Sequence, residues 1–192
     1  KEWTKSDRGW HPVSIEGIWK DIHIDGPRIW TLDEQGIWVH KNQSKLMYIQ
    51  NNLKEIAVSK LSIWGRTQDD QLVRHTLGKK ETYKTPKIVS MASGKNNLCV
   101  GTEKGLYRIT TKEKSPQHWY SKNKILAVES TPDGDCWFIS DGDQIGVVYA
   151  NGEEIQWEAP SRLGKIYDIQ EQEKGIWVYG SKGLWLMRKR VP

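Results

Sequence analysis

The chain has 192 residues, with 29 Lys+Arg against 24 Asp+Glu and a formal net charge of +5. That length suits one domain with a real core, and 28% charged and 36% hydrophobic residues exclude a disordered chain. No stretch approaches the roughly 18 apolar residues of a membrane-crossing helix.

The chain opens at Lys1 without an initiator Met and without a charged-then-apolar leader. It therefore reads as a mature or trimmed product that carries no signal peptide. The aromatic inventory is uneven, with 11 Trp and 7 Tyr against 1 Phe. A single core does not need that many indoles, so Trp either recurs with a structural unit or lines a binding surface.

In chain order, a first apolar strand at Trp19-Lys20-Asp21-Ile22 leads to Ile29-Trp30 and, across a hairpin, to Gly36-Ile37-Trp38. The order returns at Leu53-Lys54-Glu55-Ile56, Ile63-Trp64 and Asp70-Gln71-Leu72-Val73. It returns again at Ile88-Val89-Ser90-Met91, Leu98-Cys99 and Gly105-Leu106-Tyr107, with an outer strand at Gln117-His118-Trp119. A fourth unit holds Ile125-Leu126-Ala127-Val128, Cys136-Trp137, Gln144-Ile145-Gly146-Val147 and the outer strand Glu154-Ile155-Gln156-Trp157. The fifth holds Ile166-Tyr167-Asp168-Ile169, Ile176-Trp177 and Gly183-Leu184-Trp185.

The leading residues of the first strands lie 34, 35, 37 and 41 residues apart. These short β-branched and aromatic runs are bounded by Gly, Asp, Asn and Lys turns, and no stretch keeps a helical period. An all-β chain with a four-strand repeat near 40 residues predicts a β-propeller, one blade per repeat. We expect a five-bladed propeller of four-stranded antiparallel blades, one domain over 1–192. Its blades fall at about 14–49, 50–83, 84–120, 121–158 and 159–192, with an N-terminal strand in 1–13. Trp10-His11-Pro12-Val13-Ser14-Ile15-Glu16-Gly17 aligns without gaps to Trp157-Glu158-Ala159-Pro160-Ser161-Arg162-Leu163-Gly164. The N-terminal strand is therefore expected to complete the last blade and close the ring.

The units Gly17-Ile18-Trp19-Lys20-Asp21-Ile22 and Leu53-Lys54-Glu55-Ile56-Ala57-Val58 with Ile63-Trp64-Gly65 and Leu72-Val73-Arg74 resemble the tectonin repeat. That resemblance implies a propeller lectin or a peptide- and membrane-surface recognition module. Pro132-Asp133-Gly134-Asp135-Cys136-Trp137-Phe138 is similar to the repeat of streptogramin lyases. Gly101-Thr102-Glu103-Lys104-Gly105-Leu106-Tyr107-Arg108 and Gly175-Ile176-Trp177-Val178-Tyr179-Gly180 resemble propeller repeats in sensor ectodomains of two-component regulators. Three families matched by one or two blades each imply the fold more than any one function.

Catalytic and metal motifs are missing: the sequence holds no Cys-x-x-Cys, His-Glu-x-x-His, Gly-x-Ser-x-Gly or phosphate-binding Gly-rich loop. No cofactor or metal is expected, and Asp133-Gly134-Asp135 and Asp141-Gly142-Asp143 read as tight turns. Cys99 and Cys136 read as buried free thiols in strands, although an oxidising compartment would permit one bridge. The first strands place Asp21, Glu55 and Asp168 at one register of the channel. They form either an acidic ring for a cationic ligand or hydrogen bonds to neighbouring strand ends.

Trp30, Trp64, Trp137 and Trp177 share one register and read as core, as does Trp19 in its first strand; Trp38, Tyr107 and Trp185 read as packing between blades. Trp10, Trp119 and Trp157 stand in outer strands beside His118 and Glu158, either as half-buried blade edges or as stacking platforms for a ligand. Basic clusters at Lys79-Lys80, Lys112-Glu113-Lys114, Lys122-Asn123-Lys124 and Arg188-Lys189-Arg190 offer a surface to an anionic partner. Their mixing with Glu argues against a nucleic-acid footprint. The leading expectation is a non-catalytic carbohydrate-binding lectin with repeated sites at blade boundaries; the compartment is left open between a secreted or extracellular setting, which is favoured, and a cytoplasmic one. The alternatives are a protein-interaction scaffold and a lyase-like enzyme at the channel mouth.

Overall fold

A computed structural model describes residues 2–6, 9–13, 17–25, 28–41, 44–50, 52–59, 62–76, 79–113, 115–120, 122–172 and 175–187; for 2–6, 9–13, 25, 41 and 44–50 the backbone alone is described. The chain is all-β, five blades of three to four antiparallel strands arranged as a propeller. The only helical element among the described residues is a single 3₁₀ turn at Ser161–Leu163.

Blade 1 runs β3 (Asp21–Asp25), β4 (Arg28–Leu32), β5 (Gly36–Lys41) and β6 (Ser44–Gln50), after β1 (Glu2–Ser6) and β2 (Gly9–Val13). Blade 2 is β7 (Leu53–Ser59), β8 (Ser62–Thr67), β9 (Leu72–Thr76) and β10 (Lys79–Tyr83). Blade 3 is β11 (Ile88–Ser93), β12 (Asn97–Thr102), β13 (Gly105–Thr110) and β14 (Gln117–Tyr120). Blade 4 is β15 (Ile125–Ser130), β16 (Cys136–Ser140), β17 (Gln144–Val148) and β18 (Glu154–Glu158). Blade 5 is β19 (Ile166–Gln172), β20 (Gly175–Gly180) and β21 (Gly183–Met187). Each strand pairs with its chain neighbour, as short hairpin connections dictate.

The core lies between blades rather than within them. Trp30, Leu32 and Ile37 of blade 1 pack on Leu53, Ile56, Val58, Ile63 and Val73 of blade 2. Trp64 and Leu72 of blade 2 pack on Ile88, Met91, Leu98 and Val100 of blade 3. Cys99, Leu106 and Tyr120 then meet Ile125, Val128, Phe138 and Val148 of blade 4. Trp137, Ile139 and Ile145 meet Leu163, Ile166, Ile169 and Ile176 of blade 5. Strand alternation makes this inevitable: successive side chains point to opposite faces, so each blade offers one apolar face forward and one back.

Several expectations change here. Among the described residues the N-terminal strand does not pair with the last blade: β2 pairs with β1, Glu2 opposite Val13, and β21 pairs with β20 alone. Two residues separate β1 from β2, so that hairpin closes at small entropic cost, whereas pairing with β21 must close a loop of nearly the whole chain. Cys99 and Cys136 are not free thiols but a disulfide, with Cα atoms 5.8 Å apart. Cys99 takes the forward-facing Trp register of blade 3 and so meets Cys136 across the blade boundary. Trp19 is half-buried rather than core, edge-on to His40 at 5.6 Å. Trp177 is likewise half-buried, while Trp30, Trp64 and Trp137 are buried.

Candidate functional site

The site begins with one strand fault. β13 and β14 pair Leu106 with Tyr120 and Tyr107 with His118, so Trp119 has no opposite number and forms a β-bulge. Bulges re-aim a side chain out of the ladder and recur beside binding sites. The equivalent Trp157 sits in regular register, opposite Ile145.

Gly105 makes the approach of β14 feasible. It has φ +122°, and a Cβ there would lie 1.9 Å from the Tyr120 carbonyl oxygen. Around the bulge, the guanidinium of Arg108 covers the Trp119 ring at 4.3 Å. His118 lies flat on Tyr107, with ring centroids 4.4 Å apart.

The product is a cleft of about 130 Å³ lined by His118, Trp119, Tyr120, Lys122 and Glu154. It spans the boundary of blades 3 and 4, with Lys122 and Glu154 closing to 4.0 Å. The hydroxyl of Tyr120 is buried and has no hydrogen-bond partner among the described residues. The cleft thus combines indole and imidazole surface with a cation and a carboxylate.

Trp157 stands apart from this cleft, exposed and stacked on Trp137 at 5.9 Å. Glu158 is exposed at the end of the same strand, opposite Gln144. The side chain of Trp10 lies outside the described residues.

The channel carboxylates are built differently. Asp21 Oδ2 accepts the Ile56 N–H at 2.7 Å, and Glu55 Oε1 accepts the Met91 N–H at 3.2 Å. Ser90 Oγ accepts the Val128 N–H at 3.2 Å. Each acceptor thus holds the first strand of the next blade. In blade 4 the register falls on Ala127, and Glu129, two residues on and on the same face, accepts the Glu171 N–H instead. Asp168 accepts the N–H of its own neighbour Ile169 at 2.9 Å.

Burial raises the Asp21 carboxyl above its ordinary value and pushes Glu55 up to about 6, with the Asp21 charge adding to the rise. Burial pushes Glu129 up to about 7, with the Glu171 and Asp168 charges reinforcing the rise. Arg66 Nη1 lies 3.5 Å from Glu55, and its Nε donates to Asp70 at 2.8 Å. Sequence reasoning named His118 and Trp119, with Tyr120 beside them and Lys122 in a basic cluster, but missed Glu154.

No protein-family model matches the chain, and no curated protein matches it. Solved structures do. Virginiamycin B lyase from Staphylococcus aureus is 18% identical over 96% of this chain and 73% of its own, with a TM-score of 0.68. The extracellular domain of a hybrid two-component system from B. thetaiotaomicron is 17% identical over 87% of this chain and 26% of its own, TM-score 0.62. YCF48, solved bound to a D1 peptide, is 12% identical over 91% of this chain, TM-score 0.61. The chain spans 66% of the length of YCF48. At these identities the likeness defines the class, a β-propeller whose neighbours include a lyase, a two-component-system domain and a peptide-bound protein, and assigns no activity.

Proposed function

We propose that the protein is a non-catalytic recognition propeller that binds a glycan residue in the cleft between blades 3 and 4. The observation that carries this reading is the bulge at Trp119, which frees one indole from the ladder at a cleft it shares with His118, Tyr120, Lys122 and Glu154. A sugar needs an aromatic platform and polar groups to orient its hydroxyls, and this lining supplies both. At about 130 Å³ the cleft is smaller than the roughly 300–1,000 Å³ of drug-sized sites. It takes one residue at a time, so useful affinity comes from several weak sites, with Trp157 and Glu158 of β18 as the next candidates. The tectonin-like strands Leu53-Lys54-Glu55-Ile56 and Ile63-Trp64-Gly65 support a lectin. The Cys99–Cys136 bridge supports an oxidising, extracellular setting.

The test is a glycan array on the wild-type protein, followed by titration of any hit against Trp119→Ala. Binding that weakens at least tenfold in the variant is expected; an array without a single binder removes the lectin reading. A second reading, recognition of an extended protein segment, draws on the peptide bound to YCF48. A peptide array positive where the glycan array is blank, and sensitive to Lys122→Glu, would favour it.

A further inference from the structure

Given the glycan reading of the cleft, on which this rests, we propose that the sugar it selects is an acidic one, whose carboxylate or sulfate pairs with the guanidinium of Arg108. The repeat supplies the comparison. Opposite Trp30, Trp64, Cys99, Trp137 and Trp177 of the second strands, the third strands carry Val39, Arg74, Arg108, Val147 and Leu186. Arginine takes that place in blades 2 and 3 alone.

The two arginines differ in what they hold. Arg74 is buried and well partnered. Its Nε donates to Ser62 Oγ at 2.9 Å, and its Nη1 donates to the Thr111 carbonyl at 3.2 Å and lies 3.6 Å from the Glu81 carboxylate. Glu81 stands directly opposite Arg74 in the strand pair. In blade 3 the residue opposite Arg108 is Gln117, so the matching carboxylate is gone. Among the described residues the half-buried Arg108 side chain makes no hydrogen bond and no ion pair, and its Nε is buried without a partner.

The carboxylates whose charge reaches Arg108 are committed elsewhere. Glu113 accepts the Thr110 N–H, and Asp135 accepts the Ala150 N–H at 2.9 Å. Burial outweighs both charges and works against the guanidinium's own. A guanidinium with free N–H donors suits a planar oxyanion, which it takes through two parallel hydrogen bonds. Gly134 keeps room for it: at φ +96°, a Cβ there would lie 3.3 Å from Arg108 Nη2. The guanidinium lies on the Trp119 ring at 4.3 Å, so a sugar seated at that indole carries its acidic substituent to Arg108. Lys122 lines the same cleft and adds a second positive charge.

Two matched pairs of sugars test this by calorimetric titration of the full chain. A hyaluronan hexasaccharide and its methyl ester isolate the carboxylate; a keratan sulfate tetrasaccharide and its desulfated form isolate the sulfate. In at least one pair the acidic form is expected to bind about tenfold tighter than its neutral form. Arg108→Gln is expected to bring the acidic form down to the neutral one and to leave the neutral affinity unchanged. Arg108→Lys is expected to recover part of the difference. Gln117→Glu rebuilds the ion pair of blade 2 at an exposed position, so it keeps the test open if Arg108→Gln does not fold. It is expected to melt higher than the wild type and to lose the preference for the acidic form. Equal binding of both forms, lost together in Trp119→Ala, overturns the proposal and leaves the lectin reading standing. A preference that survives Arg108→Gln but disappears in Lys122→Gln also overturns it. Binding of none of the four sugars overturns it too, and the glycan array then decides whether the lectin reading falls as well.

Discussion

Asp21 and Ile56 lie 35 residues apart, and the Asp21 carboxylate accepts the Ile56 N–H at 2.7 Å across the boundary of blades 1 and 2. Ile56 is buried, so its N–H has no water to turn to, and an orphaned buried donor costs about 1–3 kcal/mol. Asp21→Ala is expected to lower unfolding stability by that amount. Asp21→Asn, which keeps a side-chain acceptor, is expected to lose less. Urea unfolding of the three proteins decides it: equal midpoints would remove the staple from the stability of the propeller.

The disulfide joins Cys99 and Cys136 across a separation of 37 residues. Closing a loop of that length in the unfolded chain is worth about 4 kcal/mol on the chain-entropy estimate. A melting temperature that falls by several degrees in reductant, and equally in Cys136→Ser, is expected. A melt indifferent to reductant would mean that the bridge contributes nothing to the folded state.

Burial holds the Glu129 carboxyl up to about 7 against an ordinary 4.5, and Glu55 up to about 6. Between pH 4.5 and 7 the folded protein therefore keeps protons that the unfolded chain has released. The stability these groups contribute is complete below about pH 4.5 and is lost as pH rises through 6 to 7, amounting to roughly 3 kcal/mol for Glu129. Glu129→Gln is expected to flatten most of the fall between pH 5 and 8. Thermal melts across that range measure it, and an unchanged slope in the variant would contradict the assignment.

Trp64 is fully buried between blades 2 and 3, under the Arg74 guanidinium at 5.2 Å. Trp64→Ala is expected to cost about 3–5 kcal/mol, as large core truncations do. Trp157→Ala, at an exposed edge, is expected to cost a small fraction of that. Comparable losses from the two would mean that the indoles do not divide into architecture and surface.

The propeller is legible in the sequence because its signal is local. Each strand declares itself by β-branched and aromatic alternation, and Trp30, Trp64, Trp137 and Trp177 mark one register in four of the five repeats. What the sequence conceals is cross-boundary geometry. Cys99 and Cys136 are one repeat apart, a hint of contact, but only the forward and backward faces of their strands reveal that the thiols meet. The cleft is hidden for a related reason: a one-residue bulge at Trp119 carries no composition signal, and Glu154 comes from another blade. For the N-terminal segment, likeness to Trp157–Gly164 suggested a partner strand, yet the nearer partner β1 took it.

The recognition site and the channel can be compared directly by following intrinsic Trp fluorescence while titrating an array-positive glycan into three proteins. These are the wild type, Trp119→Ala, and the channel triple variant Asp21→Asn, Glu55→Gln, Asp168→Asn, held below its melting temperature. Saturable binding retained in the channel variant and lost in Trp119→Ala is the expected result. Binding lost in the channel variant and retained in Trp119→Ala would contradict it and return the site to the central channel.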